Sequence, residues 1–333
     1  MSEQISTPLA AAKPHEALAR TLALKMDEVQ ALIAERMASD AAPRIPEVTA
    51  HLIGAGGKRI RPLLVLAAAR LSDYAGPYDV HLAATVEFIH TATLLHDDVV
   101  DESRQRRGRP TANLLWDNQS SVLVGDYLFA RSFQLMTETG SLEVLRILSD
   151  AAATIAEGEV LQLTAARDVR TTEETYLKVV RGKTAALFAA ACEVGGVIAG
   201  DDRASALREY GDALGIAFQI ADDLIDWEQD AGTTGKNAGD DFREGKLTLP
   251  LIRAIGADEN RAFWERTIAK RDVRDGDLEE ARARLGRTGA LSSTRASALE
   301  WSERAKAALE RAPQGDLTPV LRGLADYVVE RVA

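Results

Sequence analysis

The chain has 333 residues, 46% of them apolar, and 51 acidic against 40 basic residues give it a net charge of −11. This length supports a large core, and so acidic a chain is a poor general nucleic-acid binder. The single cysteine, Cys192, excludes an internal disulfide and is typical of a reducing compartment; in its alanine-rich segment we interpret it as a buried thiol.

Long segments are rich in Ala, Leu, Glu and Arg, with apolar residues recurring every three or four positions. This spacing indicates amphipathic helices, and no alternating pattern predicts a strand. Glycine and proline concentrate in a few breaks, none rich enough to divide domains. We therefore predict a single all-α domain over residues 1–333, with residues 1–10 frayed and the more charged helices after Pro250 packed outside the core.

The N-terminal segment lacks the long apolar stretch of a secretory signal. No segment reaches the ~18 uncharged apolar residues that a membrane-spanning helix needs. The nearest candidate, residues 184–200, carries Glu193 near its middle. The sequence thus predicts a soluble cytoplasmic protein with no membrane span and no nucleic-acid partner.

The first unusual cluster along the chain is GAGGKRIRP, at residues 54–62, where Lys58, Arg59 and Arg61 follow three glycines. Glycines let the backbone approach an anion, and the start of the following helix favours negative charge. The phosphate-loop pattern GxxxxGK[ST] is absent from the sequence. The cluster therefore predicts an anion site of another kind.

Further along, LLHDDVVDES places Asp97, Asp98 and Asp101 at the end of an apolar helical segment. Asp97 and Asp101 are four residues apart and so share one helix face. The breaker GRP follows closely, which puts these acids near a helix C-terminus, the unfavourable end for negative charge. Two local rules are broken together, as is typical of functional sites. Clustered carboxylate oxygens are ligands that Mg²⁺ prefers.

The residues before this acidic motif describe a possible shaft. His90 lies two helical turns before Asp97 on the same face, where it would donate a hydrogen bond to a phosphate. The alternative is a histidine in the protein interior whose hydrogen bonds are made within the protein. Ile89, Ala92 and Thr93 lie near that face and are small or apolar. A polar mouth above an apolar shaft fits a molecule with a diphosphate head and a hydrocarbon tail.

A second motif of the same form, DDLID, supplies Asp222, Asp223 and Asp226 after the apolar segment ALGIAFQIA. For one motif alone, a solvated helix end paired with arginine is an equal alternative. Two copies, both after apolar helices, disfavour it. The sequence has no histidine and cysteine set for zinc, and only one Glu-x-x-His, at Glu87 and His90, where a di-iron site needs more.

Basic residues gather beside both acidic motifs, although the chain as a whole is acidic. Singly, each is best explained as a surface charge. Together with metal-binding acids, they describe a diphosphate site, because cations neutralise the phosphate oxygens that a metal does not bridge. These residues are Arg106, Arg107, Lys183 with its neighbour Thr184, Lys236 and Lys246.

The chain resembles the trans-isoprenyl diphosphate synthases, or polyprenyl synthetases, in five motifs. They occur in the same order as in that family: GGKRIRP, HDDVVDESRQRRG, GKTA, FQIADDLID and GKNAGDDFREGKLTLPL. The resemblance is strong over residues 45–260. EFIHTATLLHDDVVDES and SVLVGDYLFARSFQLM are most similar to the bacterial long-chain branch, the octaprenyl and decaprenyl diphosphate synthases. Phe242 and Leu247 depart from the family pattern without removing a ligand.

The resemblance implies an all-α bundle around a deep central cavity, usually homodimeric. It implies Mg²⁺-dependent sequential condensation of isopentenyl diphosphate with an allylic diphosphate such as farnesyl diphosphate, for the side chain of a quinone. Three Mg²⁺ ions would bind with the diphosphate, and Mn²⁺ would substitute. Peripheral membrane contact would aid product release.

The resemblance also assigns roles by motif. Small residues before the first acidic motif imply a long product, because a bulky ring there blocks the tail in short-chain relatives. The implied metal ligands are Asp97, Asp101 and Asp222, in a catalytic set with Asp98, Asp223, Asp226, Lys183 and Lys236. The residues implied to bind isopentenyl diphosphate are Lys58, Arg61, His90 and Arg107, and those implied to bind the allylic diphosphate are Arg106, Lys183, Thr184, Gln219, Lys236 and Lys246. The residues implied to set chain length are Ile89, Ala92 and Thr93, with Phe133 or Met136 as the floor of the shaft, whereas Asp240 and Asp241 give supporting contacts only.

Several alternatives stay open at this point. They are a shorter-chain farnesyl or geranylgeranyl diphosphate synthase, a non-catalytic subunit of a heteromeric prenyltransferase, a terpene cyclase, and a structural helical protein with acidic patches. Non-catalytic subunits typically lose acids from one motif, and terpene cyclases usually carry an NSE-type second metal site. This chain keeps both aspartate motifs, which favours the synthase.

Overall fold

The computed structural model describes residues 13–54, 56–228 and 239–332. Helices dominate these ranges, so the all-α prediction is confirmed. The helices are α1 (Pro14–Thr21), α2 (Ala23–Met37), α3 (Arg44–Gly54), α4 (Ile60–Leu71), α5 (Tyr78–Val100), α6 (Ala112–Leu115), α7 (Asn118–Glu138), α8 (Leu142–Ala165), α9 (Glu173–Val180), α10 (Ala186–Ala199), α11 (Ala204–Glu228), α12 (Asp240–Glu244), α13 (Leu249–Ala257), α14 (Arg261–Trp264), α15 (Asp277–Arg287), α16 (Ala290–Arg311) and α17 (Thr318–Glu330); two π-helical turns, Arg181–Ala185 and Glu265–Ala269, interrupt the series.

The centre of the bundle is formed by α5 and α10, which are buried on nearly all sides. A helix that is apolar all round belongs inside a protein rather than on its surface. Helix α5 packs against α4 and α7, and α10 lies between α4, α8 and α11. The acidic motif at the end of α5 therefore projects from the core of the bundle.

Helix starts agree with local sequence signals. Asp117, Ser141 and Thr172 each precede a helix, and each side chain accepts a hydrogen bond from a backbone N–H in the first turn. Such caps satisfy donors that the helix itself leaves unpaired. They fix where α7, α8 and α9 begin.

The C-terminal third differs from the sequence-based expectation. Helices α16 and α17 are part of the main core, where Ala298, Ala305, Leu309 and Leu321 are buried. The small alanines let α16 pack closely against α11, so its modest hydropathy conceals a core role. The segments between them and α11 enclose a second apolar cluster that includes Trp227, Phe242, Trp264, Leu251 and Leu285.

A short hairpin interrupts the helices after the first acidic motif. Strand β1 (Gln105–Arg106) pairs antiparallel with β2 (Arg109–Pro110). The two turn residues, Arg107 and Gly108, both have positive φ, 52° and 74°. A two-residue turn with both φ values positive suits an antiparallel hairpin. The sequence analysis identified only a break here, because two residues per strand leave no alternating pattern.

One continuous helical stretch, Glu173–Ala199, is long and apolar enough to cross a bilayer by length and composition alone. Its most apolar part is 67% buried inside the protein. It combines α9, the first π-helical turn and α10. Central helices of a folded bundle meet the same criteria, so the stretch is weak evidence for a membrane span.

Candidate active site

The first acidic bank lies at the C-terminal end of α5 and consists of Asp97 and Asp101. Asp101 is the residue that ends the helix. The Lys183 Nζ lies 3.7 Å from an Asp97 carboxylate oxygen, and the Lys246 Nζ lies 3.6 Å from an Asp101 oxygen. Burial raises the pKa of Asp97, while the Lys183 ammonium opposes that rise. Two cations from distant segments thus meet this bank.

Asp98, between these two residues in sequence, has a different environment. Its side chain is completely buried and accepts hydrogen bonds from Arg106, at 2.9 Å from Nε and 2.7 Å from Nη2. The pair attaches the hairpin to α5 and sets Arg106 beside the first bank. Much of the hydrogen-bonding capacity of the Arg106 guanidinium is therefore used by Asp98.

The second acidic bank lies on α11. The Asp222 side chain is 45% exposed, and Arg331 from the end of the chain approaches it at 3.5 Å. Asp223 is buried and accepts hydrogen bonds from the Tyr176 hydroxyl at 2.6 Å and the Gln219 amide at 2.9 Å. Burial, together with the nearby Asp241 carboxylate, raises the pKa of Asp223 well above its usual value. In both motifs, the second aspartate of the pair is held by the protein.

Asp226 completes the second bank from the next helical turn. It accepts a hydrogen bond from the Asp241 backbone N–H at 3.2 Å, and its carbonyl accepts one from the Gly239 N–H at 2.8 Å. The Lys246 N–H donates to the Asp241 carbonyl at 2.9 Å. Because the Lys246 ammonium also contacts Asp101, this segment joins the two banks at one end.

The first π-helical turn joins the banks at their other end. It carries Lys183, which contacts Asp97, and Thr184, whose hydroxyl donates to the Gln219 side-chain oxygen at 2.8 Å. Gln219 in turn donates to Asp223. Single π-helical turns inside α-helices occur frequently at functional sites. Here the turn carries two consecutive side chains that reach opposite banks.

A close backbone approach holds this turn in place. A Cβ built on Gly182 would lie 2.7 Å from the Gly158 Cα on α8, and a Cβ on Gly158 would lie 2.7 Å from the Lys183 backbone nitrogen. Such separations exclude any side chain at either position. The two glycines therefore allow α8 to touch the segment that carries Lys183 and Thr184.

A separate cationic group lies where α4 meets the middle of α5. The Arg61 guanidinium stacks 4.5 Å from the centre of the Phe188 ring, and its Nη1 lies 3.3 Å from the His90 Nε2. Burial lowers the pKa of Arg61 to about 10. Burial, with added repulsion from Arg61 and Arg107, lowers the pKa of His90 well below its usual value. A bound anion would relieve this repulsion.

Arg107 and Lys58 extend the cationic group to the surface. Arg107 donates to the Gly56 carbonyl, which brings the hairpin against the glycine-rich loop. The Lys58 ammonium lies 3.4 Å from the Tyr327 hydroxyl of α17. Arg59, in contrast, is bound by Glu87 at 2.6 Å and has a structural role. Of the four residues expected to hold isopentenyl diphosphate, Arg61, His90 and Arg107 thus lie near one another, and Lys58 lies on the glycine-rich loop that Arg107 contacts.

The residues predicted to set chain length divide between interior and surface. Ile89 and Ala92 are fully buried on α5, and Met136 is buried on α7. Thr93 is partly buried and donates to the His90 carbonyl at 2.8 Å. Phe133 is 44% exposed, so it faces away from the interior of this chain. Of the two residues considered for the floor of the shaft, only Met136 is buried.

Lys236 lies outside the described residues. Several residues that the sequence analysis missed do lie at the site: Glu159, Tyr176 and Arg331 contact Lys183, Asp223 and Asp222 in turn. Glu159 and Tyr176 lie on other helices and Arg331 directly follows α17, and none of the three has a motif around it. Only the position of Tyr176, seven residues before Lys183 and so about two helical turns away, offered a local signal.

The donor set fits a hard divalent cation bound together with a diphosphate. In the described part of the chain, no three His, Cys, Asp or Glu side chains converge on one point. Mg²⁺, however, is typically held by one or two carboxylates plus substrate phosphate oxygens. Burial raises the pKa of Asp97, and a bound cation would stabilise the ionised form of its carboxylate. Asp97 and Asp101 would hold such a cation at the first bank, and Asp222 would hold another at the second bank.

Comparison with known proteins agrees with this geometry. The chain is 45% identical over 310 residues to the octaprenyl diphosphate synthase of Escherichia coli, covering 92% of this chain and 95% of that protein. A crystal structure of a decaprenyl diphosphate synthase from Rhodobacter capsulatus superimposes with a TM-score of 0.93 at 66% identity, covering 96% of this chain and 100% of that one.

A polyprenyl synthase from Caulobacter crescentus, crystallised with calcium and isoprenyl diphosphate, is 51% identical, with a TM-score of 0.90 over 96% of this chain and 98% of that one. The sequence profile of the polyprenyl synthetases matches residues 42–285. That interval contains both acidic banks, the glycine-rich loop and the π-helical turn between the banks. The chain belongs to the polyprenyl synthetase family.

Proposed function

We propose that this protein is a long-chain polyprenyl diphosphate synthase, a prenyltransferase that extends an allylic diphosphate with successive isopentenyl units. The observation that carries the proposal is the arrangement of two aspartate banks joined by the segment of Lys183 and Thr184, with a second cationic group on α4 and α5. Two anionic groups thus have separate places in one site.

The residues of the two banks would hold the allylic diphosphate. Lys183 and Lys246 already face the first bank, and Arg106 lies beside it, so all three supply positive charge to a departing diphosphate. When bound at Asp97, Asp101 and Asp222, Mg²⁺ would stabilise the charge that develops on the phosphate oxygens. Preorganised positive charge at a leaving group is a large part of catalysis in such sites.

The second cationic group would place isopentenyl diphosphate. Arg61 can only donate hydrogen bonds, so the His90 Nε2 accepts and the ring proton resides on Nδ1. Neutral His90 then has one N–H to donate, while Arg61, Arg107 and Lys58 supply the positive charge. The allylic C–O bond breaks, the isopentenyl double bond attacks the carbocation, and loss of a proton completes the step.

The chain length of the product is proposed to be that of eight to ten isoprene units, as in the octaprenyl and decaprenyl relatives, with a quinone side chain as its use. Ile89 and Ala92, which are fully buried on α5, would exclude water from the carbocation. Shorter products and a non-catalytic subunit are the alternatives. Intact aspartates in both banks disfavour the subunit.

A single assay tests this function. Purified protein is incubated with farnesyl diphosphate, radiolabelled isopentenyl diphosphate and Mg²⁺, and the products are sized by chromatography. We expect labelled products of eight to ten isoprene units, and no extension once the metal is chelated. Products that stop at farnesyl or geranylgeranyl length would establish the shorter-chain alternative, and no extension at all would support the subunit.

We also propose that the chain forms a homodimer in the cytoplasm and contacts membranes only peripherally when it releases product. Helices α6 to α8 expose large apolar side chains, including Leu115, Leu123, Val160 and Leu163. Exposed apolar surface of this kind favours a protein partner. In sedimentation experiments, a Leu123→Glu, Val160→Glu variant should be monomeric, whereas Leu24→Glu, which changes an exposed residue of α2, should remain a dimer.

A further inference from the structure

The Lys183 ammonium has two acidic neighbours at different distances. It donates a hydrogen bond to Glu159 on α8 at 2.8 Å and lies 3.7 Å from Asp97. The first is a charge-assisted hydrogen bond, whereas the second is only electrostatic contact. Glu159, which the motifs did not identify, is therefore the direct partner of Lys183.

The contact between Glu159 and Lys183 follows from the positions of their backbones. Glu159 directly follows Gly158, and Lys183 directly follows Gly182. At these two glycines, the backbones of α8 and the π-helical turn lie in close contact. Both partner side chains are about one-quarter exposed, so the pair is partly desolvated. The glycine contact sets the register in which the carboxylate meets the ammonium.

We propose that Glu159 is a positioning residue that holds Lys183 away from Asp97 and directs it toward the diphosphate. The proposal rests on the role of Lys183 in binding the allylic diphosphate. Without Glu159, the nearest carboxylate left to Lys183 is Asp97, 3.7 Å away. A direct bond between them would occupy the oxygen that the first bank presents.

A purely electrostatic role for Glu159 makes the opposite prediction. A negative charge beside an anion site opposes binding, so its removal should strengthen the affinity for a diphosphate. A positioning role predicts weaker binding on truncation and recovery with glutamine, whose side-chain oxygen still accepts from Lys183. The sign of the change therefore separates the two roles.

The experiment uses an unreactive thio analogue of farnesyl diphosphate with Mg²⁺, and measures binding to the full chain by calorimetry. Glu159→Ala should weaken binding by about tenfold, the loss of one charge-assisted hydrogen bond. Glu159→Asp keeps the charge but withdraws it from Lys183, and should also weaken binding. Glu159→Gln should bind as the wild type does. Glu157→Gln, exposed on the same helix, is the matched control and should have no effect.

Kinetics provide a second measurement. The KM for the allylic substrate should rise in Glu159→Ala while the KM for isopentenyl diphosphate stays constant, a split that general loss of structure would not produce. Lys183→Ala tests the underlying assignment, and unchanged analogue affinity there would refute the role of Lys183 itself. If Lys183→Ala loses affinity while Glu159→Ala and Glu159→Asp bind the analogue normally or more tightly, the positioning role of Glu159 is overturned. The role of Lys183 in binding the allylic diphosphate would then still hold.

Discussion

Lys183 and Thr184 are neighbours in sequence, yet their side chains reach opposite acidic banks. Lys183 contacts Asp97 on α5, and Thr184 reaches Asp223 on α11 through Gln219. Consecutive residues of an α-helix already point about 100° apart, and the π-helical turn places this pair between the banks. Movement of this turn would therefore affect both banks together.

Removal of a bank aspartate should abolish turnover without unfolding the protein. Asp97→Ala and Asp222→Ala should each lower kcat by about 10³-fold, because the charge on the leaving diphosphate loses its stabilisation. Steady-state assays at saturating substrates measure this. Asp150→Ala changes an exposed residue that pairs with Arg146 on the same helix, and it should keep normal activity. Near-normal turnover in either bank variant would contradict the metal assignment.

Tyr176 should support catalysis through Asp223. Tyr176→Phe removes the only hydroxyl that donates to this buried carboxylate among the described residues, at a cost of about 1–3 kcal/mol in the free energy of unfolding. It should also lower kcat/KM, since Asp223 and Gln219 share one network. Tyr210→Phe, whose buried hydroxyl donates to the distant Leu321 carbonyl, should destabilise the fold similarly and leave activity intact.

The glycine contact should be intolerant of a methyl group. Gly182→Ala would place Cβ 2.7 Å from the Gly158 Cα, and overpacking of this kind costs about 1–3 kcal/mol. The shift would also displace Lys183, so the KM for the allylic substrate should rise. Gly286→Ala on α15 meets nothing within 4 Å and should instead stabilise the fold by about 0.5–1 kcal/mol. Equal melting temperatures for both variants would contradict the contact.

His90 should make stability depend on acid. The pKa of His90 is lowered in the folded state. Below about pH 6.5, the pKa of an unfolded histidine, His90 is therefore protonated in the unfolded chain but still neutral in the folded protein. Stability is then lost as pH falls from 6.5 toward the folded pKa. Chemical denaturation of wild type and His90→Gln across pH 5–8 should show a flatter dependence in the variant. Parallel curves would remove His90 as the cause.

The small side chain of Ala92 should permit a long product. It is fully buried on α5, five residues before Asp97, so Ala92→Phe would place a bulky ring in the path proposed for the growing chain and give shorter products. Thr93→Tyr, at the next position and about 100° around the helix, should act in the same direction. Ala92→Ser keeps the volume and should leave the product unchanged on chromatography. Full-length product from Ala92→Phe would place the tunnel elsewhere.

The sequence by itself determined the local part of the site. Spacing of four residues puts Asp97 with Asp101, and Asp222 with Asp226, on single helix faces, and both motifs follow helices whose apolar periodicity is strong. Helix class and the position of the first bank at a helix end follow from residues within a few turns. These predictions succeeded because their causes lie within the segment itself.

Only the tertiary structure decided which aspartate of each pair is held inside. Asp98 and Asp223 are buried because Arg106 and Tyr176 arrive from other elements to satisfy them, which no local pattern records. Glu159 likewise reaches Lys183 only through a contact between two glycines 24 residues apart. The core role of α16 was hidden for the same reason, since small side chains gain their burial from the helix that packs on them.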